Sequence, residues 1–98
     1  MGAERVVVIG LDCADPALVF DRWASDLPNL NALRKRGAWG KLRSTTPPIT
    51  VPAWSCMMSG SDPGALGVYG FRNRRRNSYE LEMATSRDVR VPRVWDHL

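Results

Sequence analysis

The sequence predicts an α/β fold in which strands and helices alternate around a parallel sheet. Residues 6–11 form an almost continuous apolar run rich in β-branched side chains, which is typical of a strand buried on both faces of such a sheet. Residues 39–45 alternate in polarity well enough for a second strand. Helical patterns lie between these segments and after the second one. The order is therefore that of a βαβα unit, for which a right-handed crossover is expected.

The first helix is predicted directly after the first strand. Asp15 and Pro16 have the residue types of an N-cap and a first helical position. The apolar stripe of this helix would then comprise Leu18, Val19 and Trp23.

A second helix is predicted from Leu27–Pro28 to a C-terminal cap at Gly37. Leu30 and Leu33 are expected to face inward, because they stand three residues apart on one helical face. The basic residues 34–36 are favourable near the negative end of the helix dipole.

The segment from Thr50 to Gly60 predicts a third helix whose first residue carries a hydroxyl group. Threonine is a preferred N-cap, and Pro52 lies in the first turn, where its missing N–H costs nothing. A hydroxyl at this place faces unpaired backbone N–H groups, which readily hold a phosphate oxyanion. Two interpretations of Thr50 stay open at this point: a helix cap, or a nucleophile beside a phosphate site.

Asp12 follows the predicted first strand directly. In open α/β sheets, ligands bind outside the carboxyl ends of the strands, so Asp12 would lie at the functional edge of the sheet. If Thr50 follows the next strand, we expect the two side chains to converge on one metal or anion site, roughly 3 to 7 Å apart.

The order and spacing of several short motifs resemble the amino-terminal part of the alkaline phosphatase superfamily. Within it, the chain is most similar to the type I phosphodiesterase/nucleotide pyrophosphatase branch. The resemblance covers residues 5–71, with weaker support beyond, and rests on residues 7–12, Leu27–Leu30, Leu33, Gly37, Ala38, Thr50, Pro52, Ser59, Gly60, Pro63, Gly67 and Val68.

This resemblance implies the amino-terminal part of a three-layer sandwich with a mostly parallel sheet. It also implies a metal-dependent phosphoester hydrolase that contains two divalent metal ions, with zinc as the expected metal. By motif position, Asp12 would bind metal, and Thr50 would bind metal and attack phosphorus. The chemistry agrees, because a neutral threonine hydroxyl is a poor nucleophile that a base or a metal must activate.

Two positions depart from the pattern of the family. Leu66 stands where the family usually has a histidine, and Phe71 stands near the place of an asparagine that contacts phosphate in nucleotide pyrophosphatases. Asn73 would substitute for that asparagine if the loop is re-registered, which makes it a candidate substrate-binding residue. The expected substrate is a small-molecule phosphoester, and the departures weaken any claim of nucleotide specificity.

The sequence contains too few metal-binding side chains for a complete site with two metal ions. The sequence contains a single histidine, His97, whereas two four-coordinate zinc ions need about six protein ligands or more. We therefore expect residues 1–98 to be a single partial domain, the βαβα front portion of a larger catalytic domain, and to be inactive alone. Residues 72–98 would form a polar loop and the start of a further helix. Open strand edges would favour self-association.

The composition and charge of the chain limit the classes of binding partner. The net charge is +4, and residues 72–76 form the densest basic run, which is usually a solvated loop. An anionic substrate or a membrane surface is the main alternative for this run. Nucleic acid is disfavoured, because the run lacks interleaved aromatic residues. No apolar stretch is long enough for a signal peptide or a membrane span, so the expected location is cytoplasmic.

One other class of function stays open beside the hydrolase. In a non-catalytic α/β interaction or regulatory module, Asp12 and Thr50 would have structural roles only. A dinucleotide-binding fold is excluded by spacing, since the turn after the first predicted strand contains one glycine, Gly10.

Overall fold

The computed structural model describes residue 2 and residues 4–98. The chain divides into two compact units, the first ending at Leu42 and the second comprising Arg43–Leu98. The elements in chain order are a π-helical segment Ala17–Arg22, helices α1 (Pro28–Arg36), α2 (Thr50–Ser59) and α3 (Pro63–Leu66), strands β1 (Arg72–Arg74) and β2 (Leu81–Met83), and the 3₁₀ turns Ser86–Asp88 and Val94–Asp96.

The π-helical segment begins where the sequence predicts the first helix. Asp15 Oδ1 accepts a hydrogen bond from the backbone N–H of Ala17 at 2.8 Å, which satisfies one of the unpaired donors of the first turn. The widened turn is closed by Trp23, whose N–H donates to the Leu18 carbonyl five residues earlier at 2.8 Å. Leu18 and Val19 are half-buried.

Helix α1 has the predicted bounds, but it presents a different face to the unit. Leu30 is half-buried, whereas Leu33 is 56% exposed, so the inward orientation predicted for Leu33 is wrong. Arg34 takes that place. Its guanidinium carbon lies 3.8 Å from the Trp39 ring centroid, and its Nη1 donates to the Phe20 carbonyl at 2.9 Å. The stacked guanidinium of Arg34 therefore lies on the inward face of α1, where the pattern predicts Leu33.

The two segments predicted as strands contain no regular structure. Residues 5–11 and 39–45 lie in neither a helix nor a strand, and the side chains of Val7 and Ile9 are 81% and 77% exposed. The reason is that a strand is defined by its hydrogen-bonded neighbour, and no segment in the described part of the chain pairs with either one. The parallel sheet stays a prediction.

The buried core of the second unit comes from α2, α3 and the segment that follows α3. Helix α2 ends at Gly60, which adopts the left-handed conformation (φ 68°) and donates its N–H to the Cys56 carbonyl at 2.8 Å. Helix α3 begins with a side-chain cap, because Asp62 Oδ1 accepts from the Ala65 N–H at 2.9 Å. The largest fully buried side chains are Pro52, Leu66 and Val68.

An antiparallel hairpin forms where the sequence predicts a polar loop. Strands β1 and β2 pair Arg72 with Met83 and Arg74 with Leu81. The turn contains Asn77 at a φ of 58°, a conformation that asparagine tolerates better than most residues. Both strands are largely solvated, so the alternation of polarity that identifies a half-buried strand is missing here. At the place where the sequence predicts the start of a further helix, the structure has the 3₁₀ turn Val94–Asp96, and the further helix stays a prediction.

Candidate functional site

Asp12 lies in a turn that follows the apolar segment 6–11 of the first unit, and it is exposed. The next residue, Cys13, has a positive φ of 58°, and its carbonyl accepts a hydrogen bond from the Asp15 N–H at 2.9 Å. The carboxylate is therefore carried on a tight turn that leads directly into the capped start of the π-helical segment.

Thr50 is the first helical residue of α2, and the N-cap is Ile49. Ile49 has an extended backbone (φ −116°, ψ 143°), and its carbonyl accepts from the Ala53 N–H at 3.0 Å, as an N-cap carbonyl does. The N-cap interpretation of Thr50 is therefore wrong by one position. The Ile49 side chain has no hydrogen-bonding atom, so α2 begins without a side-chain cap, and Thr50 is half-buried at the first helical position.

The start of α2 is electrostatically suited to an anion. The N–H groups of Thr50 and Val51 belong to the first turn, where donors have no intrahelical partner, and Pro52 has no N–H to contribute. The helix dipole adds a partial positive charge at the same end. A phosphoryl group that approaches Thr50 would therefore meet backbone donors together with the hydroxyl.

Cys56 lies farther along α2 and stays a neutral thiol. Partial burial raises the pKa of the Cys56 thiol, and the negative charge of Asp62 raises that pKa further. Thiolate is the form that binds metals and attacks electrophiles, so these surroundings oppose both roles.

Asn73 lies on β1 and is half-buried, and its amide oxygen already has a structural partner. Asn73 Oδ1 accepts from the Tyr69 N–H at 3.0 Å, which braces the segment before the hairpin. Contact with a substrate would therefore come from its Nδ2 donors. Leu66, at the position of the family's usual histidine, is fully buried, whereas Phe71 is exposed.

The two candidate metal ligands belong to different units, Asp12 to the first and Thr50 to the second. Their convergence on one site stays a prediction. Over residues 2 and 4–98, no three His, Cys, Asp or Glu side chains form a group that could hold a metal ion. Asp12 and Thr50 each offer an oxygen donor, which is chemically compatible with a divalent cation.

Sequence reasoning missed a basic cleft in the second unit, with a volume of about 790 Å³. Its lining includes four arginines together with Asn73, and the arginines are Arg74, Arg76, Arg87 and Arg90. Two of these belong to the run 72–76, which the sequence assigned to a solvated loop. The other two lie after β2. No local pattern joins the two pairs, because the hairpin separates them along the chain.

Comparison with known families places these observations in context. The model of the family described as type I phosphodiesterase / nucleotide pyrophosphatase matches residues 6–98. No curated protein matches the chain, and no solved structure matches it. Within the described residues, no helix combines the length and the apolar character needed to cross a membrane.

Proposed function

We propose that this chain, which belongs to the type I phosphodiesterase/nucleotide pyrophosphatase family, supplies the threonine nucleophile of a metal-dependent phosphoester hydrolase. The family consists of phosphoester hydrolases. The observation that carries the threonine assignment is the place of Thr50 at the first position of α2, directly after the N-cap Ile49. Donors on the first turn and the dipole of α2 favour an anionic phosphoryl group at that point.

The proposed reaction forms a bond between the Thr50 oxygen and phosphorus and breaks the bond from phosphorus to the leaving ester oxygen. The Thr50 proton must be removed as the attack proceeds, and the leaving oxygen must gain a proton or be stabilised as an anion. Water then cleaves the new bond, releases the phosphate product and restores the hydroxyl.

Asp12 and Thr50 would hold a divalent cation through the carboxylate and hydroxyl oxygens. When bound, such an ion lowers the pKa of the attacking hydroxyl and stabilises negative charge on the phosphoryl oxygens. Two such ions, with zinc as the expected metal, are part of the proposal.

The proposed substrate is a small-molecule phosphoester. Asn73 would contribute its Nδ2 donors to a phosphate oxygen, because its Oδ1 is occupied by Tyr69.

The test compares Thr50→Ala, Thr50→Ser and Thr46→Ala in the full-length protein with a nitrophenyl phosphoester as substrate. Loss of the nucleophile should remove most turnover in Thr50→Ala, whereas Thr50→Ser keeps a hydroxyl and should retain measurable activity. Thr46 is an exposed threonine four residues earlier, so Thr46→Ala is the matched control and should stay active.

Metal content and folded fraction are matched across the variants. Full activity in Thr50→Ala would refute the nucleophile assignment and favour the non-catalytic α/β interaction or regulatory module instead.

A further inference from the structure

The basic cleft of the second unit is a concave site with more cationic than anionic groups in its lining. Arg74 comes from β1, Arg76 from the hairpin turn, and Arg87 and Arg90 from the segment after β2. Glu82 and Asp88 are the acidic residues of the lining. Its volume of about 790 Å³ falls within the range of small-molecule sites, about 300–1,000 Å³.

Both acidic residues of the cleft are engaged outside it. Glu82 Oε2 lies 3.5 Å from Nε of Arg75, which is not part of the lining. Asp88 Oδ2 accepts from the Thr85 backbone N–H at 2.7 Å and from the Thr85 hydroxyl at 2.9 Å. These partners reduce the capacity of the two carboxylates to neutralise the arginines.

The charges of the four arginines in the cleft are not compensated by ion pairs in the described part of the chain. Among the residues that the structure describes, ion pairs are made by Arg75 and Arg93, and none by the four arginines of the cleft. Arg74 instead stacks on Tyr79, with its guanidinium carbon 5.5 Å from the ring centroid. Four guanidinium groups at one concavity repel one another, and an anionic ligand would relieve that repulsion.

Arg90 is held in the cleft by close packing on Gly67. Its backbone N–H donates to the Leu66 carbonyl at 3.1 Å. Its Nε lies 2.8 Å from the point where a Cβ on Gly67 would be. The absence of a side chain at Gly67 therefore makes room for the Arg90 guanidinium beside the end of α3.

We propose that this cleft binds a small polyanion of the oligophosphate class. Arginine forks match phosphate oxygens in paired hydrogen bonds, and several forks around one cavity suit a ligand with several phosphate groups. The concave shape favours a compact ligand over a flat anionic membrane. The proposal goes beyond the hydrolase function and requires neither Asp12 nor Thr50.

The experiment is calorimetric titration of the full-length protein with inorganic tripolyphosphate in the presence of EDTA, so that metal-bound phosphate does not contribute. We expect saturable binding. The variant Arg74→Ala/Arg87→Ala removes two guanidinium groups of the cleft and should weaken binding at least about tenfold. The variant Arg36→Ala/Arg72→Ala removes the same charge from exposed positions outside the lining and should change affinity by no more than about twofold.

Three results would overturn the proposal. The first is the absence of tripolyphosphate binding by the unmodified protein. The second is equal weakening in both double variants, which would indicate net charge alone. The third is binding to phosphatidylserine vesicles that tripolyphosphate does not displace, which would indicate a membrane surface.

The outcome is independent of the assignment of Thr50 as the nucleophile, although Asn73, the proposed substrate contact, also lines the cleft. Circular dichroism verifies that each variant is folded under the titration conditions. The variant Arg74→Ala/Arg87→Ala leaves Asp12 and Thr50 unchanged, so tripolyphosphate binding and turnover of the nitrophenyl phosphoester can fail separately.

Discussion

A catalytic role and a capping role of Thr50 predict different losses of folding stability when Thr50 is replaced. It is the first residue of α2, and the cap position belongs to Ile49. Asp62 is a true side-chain cap, since its Oδ1 accepts from the Ala65 N–H at 2.9 Å. The two positions therefore allow a direct comparison within one unit.

We expect Thr50→Ala to change the free energy of unfolding by less than about 0.5 kcal/mol, whereas Asp62→Ala should cost about 1 kcal/mol because it removes a cap. Urea unfolding at neutral pH measures both. A loss in Thr50→Ala as large as that in Asp62→Ala would contradict the assignment of Ile49 as the cap.

A comparison of Gly67 with Gly60 separates the energetic cost of a positive φ from the cost of crowding by an added side chain. Both have a positive φ, 75° for Gly67 and 68° for Gly60. A Cβ on Gly67 would lie 2.8 Å from Arg90 Nε, whereas a Cβ on Gly60 would meet nothing within 4 Å.

Gly60→Ala should therefore destabilise by about 1 kcal/mol through the left-handed backbone alone. Gly67→Ala should cost as much or more, and it should also displace Arg90 and weaken tripolyphosphate binding. Urea unfolding and the calorimetric titration are the two measurements. Unchanged tripolyphosphate affinity in Gly67→Ala would show that Arg90 does not depend on this contact.

At the scale of the element, the 3₁₀ turn Ser86–Asp88 depends on one carboxylate. The Thr85 backbone N–H and then the Thr85 hydroxyl hold the pKa of Asp88 below its ordinary value of 3.8. The ionised form is therefore favoured in the folded protein. Its contribution to stability is present above the ordinary pKa and is lost as the pH falls through the lower, folded-state pKa.

Asp88→Asn should lower the melting temperature at neutral pH and reduce its fall on acidification below about pH 4. Thermal unfolding followed by circular dichroism from pH 2.5 to 7 checks this, with Asp21→Asn on the exposed face of the π-helical segment as control. The same acid dependence in Asp88→Asn as in the unmodified protein would contradict the assigned role.

Helix α1 shows how an element can form as predicted and still face another way. Its bounds follow from local signals at Pro28 and Gly37. Its packing face follows from Arg34, which stacks on Trp39 and Phe20 with ring distances of 3.8 Å and 4.8 Å. The guanidinium packs against two aromatic rings that also contact each other, with their centroids 4.8 Å apart, and a hydrophobic pattern does not include such a contact.

At the scale of the whole molecule, the exposed apolar segment 6–11 is a surface available for association. Val7 and Ile9 are 81% and 77% exposed, and contiguous apolar surface of this kind favours contact with a second chain. The 98-residue chain should therefore self-associate in a concentration-dependent manner.

Val7→Asp/Ile9→Asp should shift the 98-residue chain toward monomer in sedimentation velocity. Leu42→Asp/Leu81→Asp carries the same two charges at exposed leucines outside this segment and should have little effect. Self-association that is equal in both variants would place the contact elsewhere, and a monomeric unmodified chain would refute the prediction.

The sequence by itself determined the features that depend on neighbouring residues. The Asp15 cap, the bounds of α1, and the start of α2 at Thr50 and its end at Gly60 all follow from residues within one or two helical turns. The family was also predictable, because short motifs within residues 5–71 keep their order and spacing, and the family model matches residues 6–98.

The tertiary structure alone decided the features that join distant residues. Residues 6–11 have a strand pattern, yet a pattern does not supply the neighbouring strand that a ladder requires. The basic cleft exists because the hairpin returns the chain and brings Arg87 and Arg90 to the same cavity as Arg74 and Arg76. Side chains separated along the chain meet only through folding, so their joint charge has no local signal in the sequence.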